Sequence, residues 1–491
     1  MAMQTETFRG YGKICELSAQ TAVECRFGEA ETVLAMHASV SLTGADAGSG
    51  EVRYYGKAHF LLVYEDAEKR VCRAEKGVEF TARATDERIV PAYTARAELC
   101  VENLSVRREG ASVYLTALLG ADIRLYGERS FEYLSGGDLV LKREPVTVLC
   151  AHLCGGATEA DDEFETELLG DILLHAETAG DAEVSCEAGT LRAEGEINLC
   201  VLALKGENSL LSFERLVPYK VEIPCDAAAF GCSAEARVTV LNSNLRVEAD
   251  EGRGKCKIFA EFTLGVEGCV YEEIAVDGVT DAFSKTNRVT LGYVTAESTG
   301  AGNADRITER ISGKAALSSP VDFSDALQAV TLQRAEANVV GGEGGRRVEG
   351  VALATLLVLG SDGSHRGVEM SLPFSIPVET EDCAAGVLVC GMSARQRQEG
   401  EIEAEATLKI TLRKERKVLS RLVCSAEEGE AVEEADSAIS VYIPRAGDGL
   451  WELAKSLKKT PEEVLANNPD VEFPIREGQR VIIYRKKSMK A

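Results

Sequence analysis

The best candidate for a metal site is a run of alternating ligands, Cys150-Ala-His152-Leu-Cys154. If this run forms a β-strand, both thiols and the imidazole project from one face, because side chains in a strand alternate between faces. Thiolate and imidazole are zinc ligands, and a structural zinc site has four of them. No second ligand pair lies nearby in the sequence, and an ordinary alternating strand face explains the run as well. We therefore predict no metal site.

Other catalytic patterns are missing from the sequence. The five histidines are scattered and form no His-Glu-x-x-His motif. The glycine-rich run Gly341–Gly345 is not followed by Lys-Ser/Thr, so it predicts a hairpin turn rather than a phosphate-binding loop. Carboxylate pairs are uninformative in a chain with 80 Asp and Glu residues. We predict a protein that is not an enzyme and that binds no cofactor.

Length, charge and composition limit the remaining possibilities. A chain of 491 residues needs several hydrophobic cores. Its net charge of −26 opposes binding to nucleic acid or to anionic membranes. The first residues lack the basic and apolar regions of a secretory signal, and the longest apolar run, Val351–Leu359, is too short to span a membrane. We expect a cytoplasmic protein without a transmembrane segment or a nucleic-acid partner, whose 15 cysteines are reduced.

Three segments of the chain repeat one pattern. In each, Arg-x-x-Gly leads into an apolar strand, and an aromatic residue follows the glycine by 24 positions. The repeated residues are Arg53, Gly56 and Phe80; Arg192, Gly195 and Tyr219; and Arg347, Gly350 and Phe374. We expect the glycine to permit a bulge or a close strand crossing, the arginine to pair with a carboxylate, and the aromatic ring to fill the core. The alternative is a ligand site that all three copies share.

Alternating apolar residues predict the secondary structure of these copies. From Glu401 to Leu412 every second residue is apolar, which is typical of an antiparallel strand with one buried face. The segments Cys256–Leu264 and Val113–Leu119 have the same pattern, and helical periodicity is scarce before residue 448. We predict a mainly β protein with three tandem β-sandwich or barrel-like modules, at residues 1–143, 144–284 and 285–424.

These modules resemble the SPOCS family (DUF3794). The resemblance is carried by the segment Asp281-Ala-Phe283-Ser, by the Arg-x-x-Gly strand entry, and by the proline before the aromatic residue at Pro218 and Pro373. The first copy departs from the pattern, because Glu79 takes the place of that proline. SPOCS modules are tied to sporulation in endospore-forming Firmicutes. The resemblance implies assembly and protein contact rather than catalysis.

The C-terminal part has a different pattern. Six carboxylates lie between Ser425 and Asp436, so we predict an extended, mobile linker at residues 425–437. Residues 438–487 then predict a strand, two helices and a strand. Asp448 can cap the first helix, and the run Thr460-Pro-Glu-Glu463 is a capping box that opens the second helix.

This small βααβ unit resembles a LysM domain. The matching residues are Tyr442, Gly447, Asp448, Leu450, Trp451, Ala454, Leu465, Asn468, Ile475, Gly478 and Gln479. LysM domains bind N-acetylglucosamine glycans in a groove, and the resemblance places the glycan or partner contact at Asp448, Gly449, Leu450, Asn468, Pro469 and Asp470. Gly449 replaces the usual threonine, which removes a hydroxyl that can bind a sugar. A protein is therefore at least as good a partner, and we expect Trp451 to lie partly in the core of the domain.

SPOCS modules followed by a LysM domain are similar to the clostridial spore-envelope morphogenetic proteins. The resemblance implies a non-catalytic scaffold in the mother cell, at the outer surface of the forespore. There it would help to localise and encase the spore coat, with the LysM domain docking the coat morphogenetic ATPase, a stage IV sporulation protein A-like protein. Tandem modules would combine weak contacts through their effective concentration. The alternatives are a cortex protein that binds peptidoglycan through LysM, and an unspecified β-repeat binding protein.

Overall fold

The computed structural model describes residues 3–110, 112–206, 209–250, 252–342, 345–379, 383–397, 401–432 and 439–484. Most of these residues lie in long antiparallel β-strands, and the two α-helices of the described ranges lie near the C-terminal end. The predicted fold class, mainly β with several antiparallel sheets, is confirmed.

Module 1 consists of two antiparallel sheets. Its strands are β1 (Met3–Glu29), β2 (Thr32–Ala47), β3 (Glu51–Glu65), β4 (Val71–Thr85), β5 (Thr94–Glu109) and β6 (Ser112–Gly137). The first sheet has the order β1-β6-β5, and the second has the order β2-β3-β4.

Module 2 repeats this topology. Its strands are β7 (Val140–Glu167), β8 (Ile172–Ala179), β9 (Glu183–Glu187), β10 (Thr190–Lys205), β11 (Ser209–Pro224), β12 (Ser233–Asp250) and β13 (Lys255–Phe283). The first sheet has the order β7-β13-β12 and the second the order β8-β10-β11, with β9 also paired to β10. Because β7 begins at Val140, the change of module falls at residues 138–139, slightly before the predicted boundary at 143.

Module 3 has the same plan. Its strands are β14 (Asn287–Lys314), β15 (Ala316–Leu317), β16 (Ala326–Gly342), β17 (Gly345–Leu359), β18 (His365–Val378), β19 (Cys383–Gln396) and β20 (Ile402–Ala431). The sheets have the orders β14-β20-β19 and β16-β17-β18, and the short β15 adds to the free edge of β18.

The two sheets of each module face each other across a hydrophobic core. The inward side chains of β6, β13 and β20 are the alternating apolar residues of the sequence: Val113, Leu115, Ala117 and Leu119; Cys256, Ile258, Ala260, Phe262 and Leu264; and Ile402, Ala404, Ala406, Leu408, Ile410 and Leu412. Across the core, they pack against buried residues such as Phe60, Leu199 and Leu356 of the second sheets. The alternation that predicted these strands is therefore confirmed in all three modules.

The predicted linker at residues 425–437 is wrong over its first half. Strand β20 continues to Ala431 and pairs with β14, with Ala426 opposite Leu291 and Glu427 opposite Thr290. Ala426 is buried, whereas the two glutamates that follow it face solvent. The acidic residues that follow Ala426 are therefore exposed parts of a paired strand rather than a free segment. The last part of the predicted linker, residues 433–437, lies outside the described residues.

Three long ribbons join the modules into one body. The pairs β1–β6, β7–β13 and β14–β20 consist of strands of 26–30 residues that pair along most of their length. One half of each ribbon belongs to its sandwich, and the other half packs against the other two ribbons. Leu134, Val279 and Val423, one from each module, share a single buried cluster. The modules are therefore repeated in tandem but packed together.

Polar contacts also cross every seam between modules. Arg124 of module 1 bonds Glu235 of module 2 at 3.0 Å. The side-chain amide of Asn198 in module 2 donates to the carbonyl oxygen of Val389 in module 3 at 2.8 Å. The backbone N–H of His365 in module 3 donates to the buried carboxylate of Glu65 in module 1 at 2.8 Å. Groups buried in such seams keep their hydrogen bonds only while the modules stay together.

The C-terminal segment, called the terminal unit below, has the predicted βααβ order. It consists of β21 (Ile439–Tyr442), α1 (Leu450–Leu457), α2 (Pro461–Asn467) and β22 (Val481–Tyr484), with β21 and β22 paired antiparallel. The capping box of α2 is confirmed, because Thr460 and Glu463 bond each other's backbone N–H groups. No helix within the described ranges is long and apolar enough to span a membrane.

The predicted cap of α1 is wrong. The residue at the N-cap position is Gly449, which makes no side-chain capping bond. The carboxylate of Asp448 instead accepts a hydrogen bond of 2.9 Å from the backbone N–H of Arg445. Asp448 therefore closes the turn before the helix, which is a common use of aspartate in loops.

Candidate functional site

The repeated glycines and aromatic residues lie directly opposite each other on neighbouring strands. The pairs are Gly56–Phe80, Gly195–Tyr219 and Gly350–Phe374. A Cβ atom on Gly350 would lie 2.3 Å from the carbonyl oxygen of Glu336 and 2.7 Å from Cζ of Phe374, and one on Gly195 would lie 2.4 Å from the Tyr219 hydroxyl oxygen. On Gly56 it would lie 2.1 Å from a backbone oxygen of β2. The glycines thus permit close packing within each sandwich.

The repeated arginines do not form one common site. Arg192 bonds Glu187 at 2.7 Å and Glu222 at 2.9 Å, so it links three strands of one sheet. Arg53 pairs at 2.6 Å with the glutamate two residues earlier in its own strand, and Arg347 donates at 2.6 Å to a serine hydroxyl of β18. Only Arg192 makes the cross-strand carboxylate pair that the repeat predicts.

The alternating Cys-His-Cys run does not converge on a common point. His152 Nε2 bonds Glu272 Oε2 at 2.9 Å, whereas Cys150 and Cys154 are buried. Burial, reinforced by the neighbouring thiol of Cys225, raises the pKa of Cys154 to about 12. Such a thiol is protonated near neutral pH, although thiolate is the form that binds metal. Within the described ranges, no three or more His, Cys, Asp or Glu side chains are arranged to hold a metal ion.

Asn468, one of the predicted contact residues of the terminal unit, is an internal link. Its side-chain amide donates to the carbonyl oxygens of Val464 and Ile482 at 2.9 Å each, and its Oδ1 accepts from the N–H of Ile482 at 2.6 Å. Asn468 is buried and ties the end of α2 to β22. The side-chain amide of Asn468 is therefore engaged inside the terminal unit, and its role as a contact to a glycan or partner stays a prediction.

The other predicted contact residues offer little chemistry for a sugar. Asp448 uses its carboxylate in the turn before α1, and Gly449 has no side chain. Leu450 packs partly against the core of the terminal unit. Pro469 and Asp470 are exposed in the loop after α2. A groove here would present few free polar groups, whereas glycan binding depends on several directed hydrogen bonds.

Helix α1 is seated on the end of module 2, in the segment that carries the SPOCS resemblance. The indole Nε1–H of Trp451 donates to Asp281 Oδ2 at 2.8 Å, and Lys455 Nζ lies 2.7 Å from both oxygens of Asp281. Burial alone would raise the pKa of Asp281, but the hydrogen bonds from Lys455, Trp451 and the backbone N–H of Ala282 hold it below the ordinary value. The carboxylate is therefore ionised and paired across the interface.

Phe283 completes this seat by entering the hydrophobic core of the terminal unit. Its side chain is 1% exposed and shares a buried cluster with Leu453, Ala454 and Val464, among others. The Trp451 ring packs edge-on against Phe283, with ring centroids 5.3 Å apart. Two residues further on, Lys285 bonds Glu463 of α2 at 3.0 Å. We call Asp281–Lys285 the docking segment.

The sequence contains one signal for this contact that our prediction did not use. Trp451 and Lys455 are four residues apart and so lie on one side of α1, beside the apolar stripe of Leu453, Ala454 and Leu457. As predicted, Trp451 lies partly in the core of its own domain, where it packs against the cluster that includes Leu453 and Ala454. Its ring and its N–H group also contact module 2, which the prediction did not include. The partner strand is about 170 residues away in sequence, so no local pattern identifies it.

The sheet of the terminal unit has an open apolar face. Ile439 lies opposite Tyr484 and Val441 lies opposite Ile482, and the exposed fractions of these four residues are 58%, 53%, 58% and 37%. Ile443, just after β21, is 68% exposed. The opposite face of β22 is buried through Val481 and Ile483. Adjacent exposed aliphatic and aromatic side chains are typical of a protein-binding surface.

Comparisons of the chain with protein-family models, with curated proteins and with solved structures give no match.

Proposed function

We propose that this protein is a non-catalytic sporulation scaffold that helps to localise and encase the spore coat at the surface of the forespore. In this proposal, the terminal unit docks a coat morphogenetic protein, the stage IV sporulation protein A-like ATPase. The resemblance of the sequence to SPOCS modules and to LysM gives the biological setting. The open apolar face of the terminal unit is the observation that carries the docking role.

The open face supports a protein partner rather than a glycan. It presents Ile439, Val441, Ile443, Ile482 and Tyr484 on one side of a two-stranded sheet. Apolar side chains bind a complementary apolar surface, because their burial removes water-exposed area. A glycan needs directed polar groups, and the predicted groove has its asparagine and one aspartate engaged internally.

The packed modules suit the role of a rigid platform. The ribbons of all three modules share buried clusters, and the terminal unit is seated on module 2 next to them. A rigid platform loses less conformational entropy on assembly than separate modules on flexible linkers. Encasement would then depend mainly on the fixed relative orientation of the contact surfaces. The high effective concentration that tethering gives to independent modules would matter less.

Val441→Asp tests the docking face in the full-length chain. Val441 is exposed, so the substitution leaves the fold intact, but it places a charge in the centre of the apolar face. We expect affinity for the stage IV sporulation protein A-like ATPase to fall more than about tenfold, as at a central interface residue. Binding is measured by titration calorimetry, and a fluorescent fusion of the same variant loses its position at the forespore in sporulating cells.

The control for this experiment is Glu462→Gln, an exposed change at the start of α2. It should bind the ATPase like the unmodified chain. Chitin oligomers are titrated in parallel. Saturable binding of the oligomers, together with no binding of the ATPase, would contradict the proposal and favour the peptidoglycan-binding alternative.

A further inference from the structure

The docking segment is a short peptide-like ligand seated on a separate small domain. Its carboxylate at Asp281 meets two donors of α1, and its ring at Phe283 enters the core of the terminal unit. An acidic residue followed two positions later by an aromatic residue is a compact recognition element, because the charge sets direction and the ring supplies buried area. The surface of α1 is complementary to both parts.

The connection to the terminal unit separates this contact from the seams between modules. The modules are joined through long ribbons, whose strands have 26–30 residues, and through clusters built from all three modules. The terminal unit is joined to β20 through the six residues between Val432 and Ile439, and its described contacts with the modules centre on the docking segment and Val140. A domain that is held in place by one small contact is a candidate for exchange between chains.

We propose that α1 of the terminal unit is a receptor for the docking segment, and that it takes this segment from a second copy of the chain as well as from its own module 2. Each copy carries one receptor and one segment, so exchange links copies head to tail. Such a heterologous contact can continue from chain to chain, which suits growth over a surface. The contact uses α1 and not the open sheet face, so it is independent of the partner proposed above.

The docking segment of the same chain competes strongly with that of a second copy for the receptor. Short connections give an intramolecular ligand an effective concentration on the order of a millimolar. Exchange is therefore seen best when each chain keeps only one half of the contact. The single tryptophan of the chain, Trp451, lies in the receptor and reports its occupancy directly.

The experiment uses two full-length variants. The receptor chain is Asp281→Asn/Phe283→Ala, which disables the segment and keeps Trp451. The segment chain is Trp451→Phe/Lys455→Glu, which keeps the segment, disables the receptor and has no tryptophan. We expect the fluorescence of the receptor chain to be shifted to longer wavelength than in the unmodified protein, because its indole ring loses Phe283 and Asp281.

Addition of the segment chain should reverse this shift with saturation below roughly a millimolar, the effective concentration that the segment normally has. Sedimentation of the mixture should show a dimer that neither chain forms alone. A third chain that carries all four substitutions should have no effect. If the segment chain has no more effect than this third chain, exchange between copies is excluded.

Loss of Phe283 could unfold the terminal unit, so Asp281→Asn alone is measured as well. This variant keeps the ring of Phe283, and its tryptophan emission should shift to longer wavelength by a smaller amount than that of the receptor chain. The matched control is Asp277→Asn on the same strand, whose carboxylate pairs with Arg143 at 3.4 Å. Its emission should equal that of the unmodified protein. An unshifted emission in Asp281→Asn would show that the carboxylate does not hold the receptor, and would overturn the proposal.

Discussion

Buried and half-buried polar groups of this protein fall into two kinds, according to whether they have a hydrogen-bond partner. Asn468 satisfies its amide within the terminal unit, and Asp281 is paired by Trp451 and Lys455. By contrast, Glu214 Oε1 and Gln333 Oε1 are buried without a partner among the described residues. Both line a cavity of about 340 Å³ between modules 2 and 3. Unpaired buried oxygens cost free energy, and a carboxylate costs more when it is ionised.

Glu214 should therefore make stability depend on pH. Burial raises its pKa to about 7, from an ordinary value near 4.5. Between these values the folded state binds more protons than the unfolded state, so stability falls as pH rises. Glu214→Gln removes the charge and should raise the free energy of unfolding at pH 8.5 by up to about 3 kcal/mol. The gain should vanish near pH 4.5, as measured by urea unfolding at both pH values.

The control for this prediction is Glu297→Gln, an exposed glutamate of module 3. Its effect should stay within about 0.5 kcal/mol at both pH values. An equal gain for Glu214→Gln at pH 4.5 and pH 8.5 would show that removal of the charge is not the cause, and that the cavity tolerates the amide for another reason.

At the scale of strands and helices, the sequence predicts those features that depend on residues close together in the chain. The alternation of β20 and the capping box at Thr460 depend on residues a few positions apart, and both are confirmed. The course of residues 425–431 depends on β14 and on Leu134 and Val279, which lie more than a hundred residues away. The same holds for the docking segment, whose partner helix comes from the C-terminal end. Local patterns therefore predict the modules but not the contacts that join them.

The end of β20 gives a direct test of this difference. Ala426 is buried in the cluster with Leu134 and Val279, so Ala426→Asp places an unpaired charge there. We expect destabilisation of about 3 kcal/mol or more, since a buried unpaired charge is among the costliest single changes. In a mobile linker the same change would have no effect. Thermal unfolding and amide hydrogen exchange at residues 425–431 measure it.

Glu427→Gln is the matched control, because its side chain lies on the wet face of the same strand. It should change the free energy of unfolding by less than about 0.5 kcal/mol. Equal stability of the two variants would mean that this segment is not held in the sheet in solution.

At the scale of the whole molecule, some hydrophobic clusters are built from residues of all three modules, so that no single module can form them. Leu34 of module 1, Leu174 of module 2 and Leu357 of module 3 lie in one cluster, and each is at most 2% exposed. His37 of module 1 interacts electrostatically with His175 of module 2 and Arg334 of module 3. Burial, together with these two positive neighbours, lowers the pKa of His37 to about 4. His37 is therefore neutral near pH 7. Together with the three leucines, it indicates that the modules are packed tightly against each other in the folded state.

Leu174→Ala tests whether this junction makes the modules one cooperative unit. The substitution removes a fully buried side chain and should cost about 3 kcal/mol, as for leucine truncation in a well-packed core. If the modules fold together, calorimetry shows one main transition for all three, and the whole transition moves to lower temperature. Leu465→Ala, at an exposed position of the terminal unit, should leave that transition in place. Three transitions, of which Leu174→Ala moves only one, would instead describe independent modules, because a shared core cannot lose a leucine from one member without weakening the others.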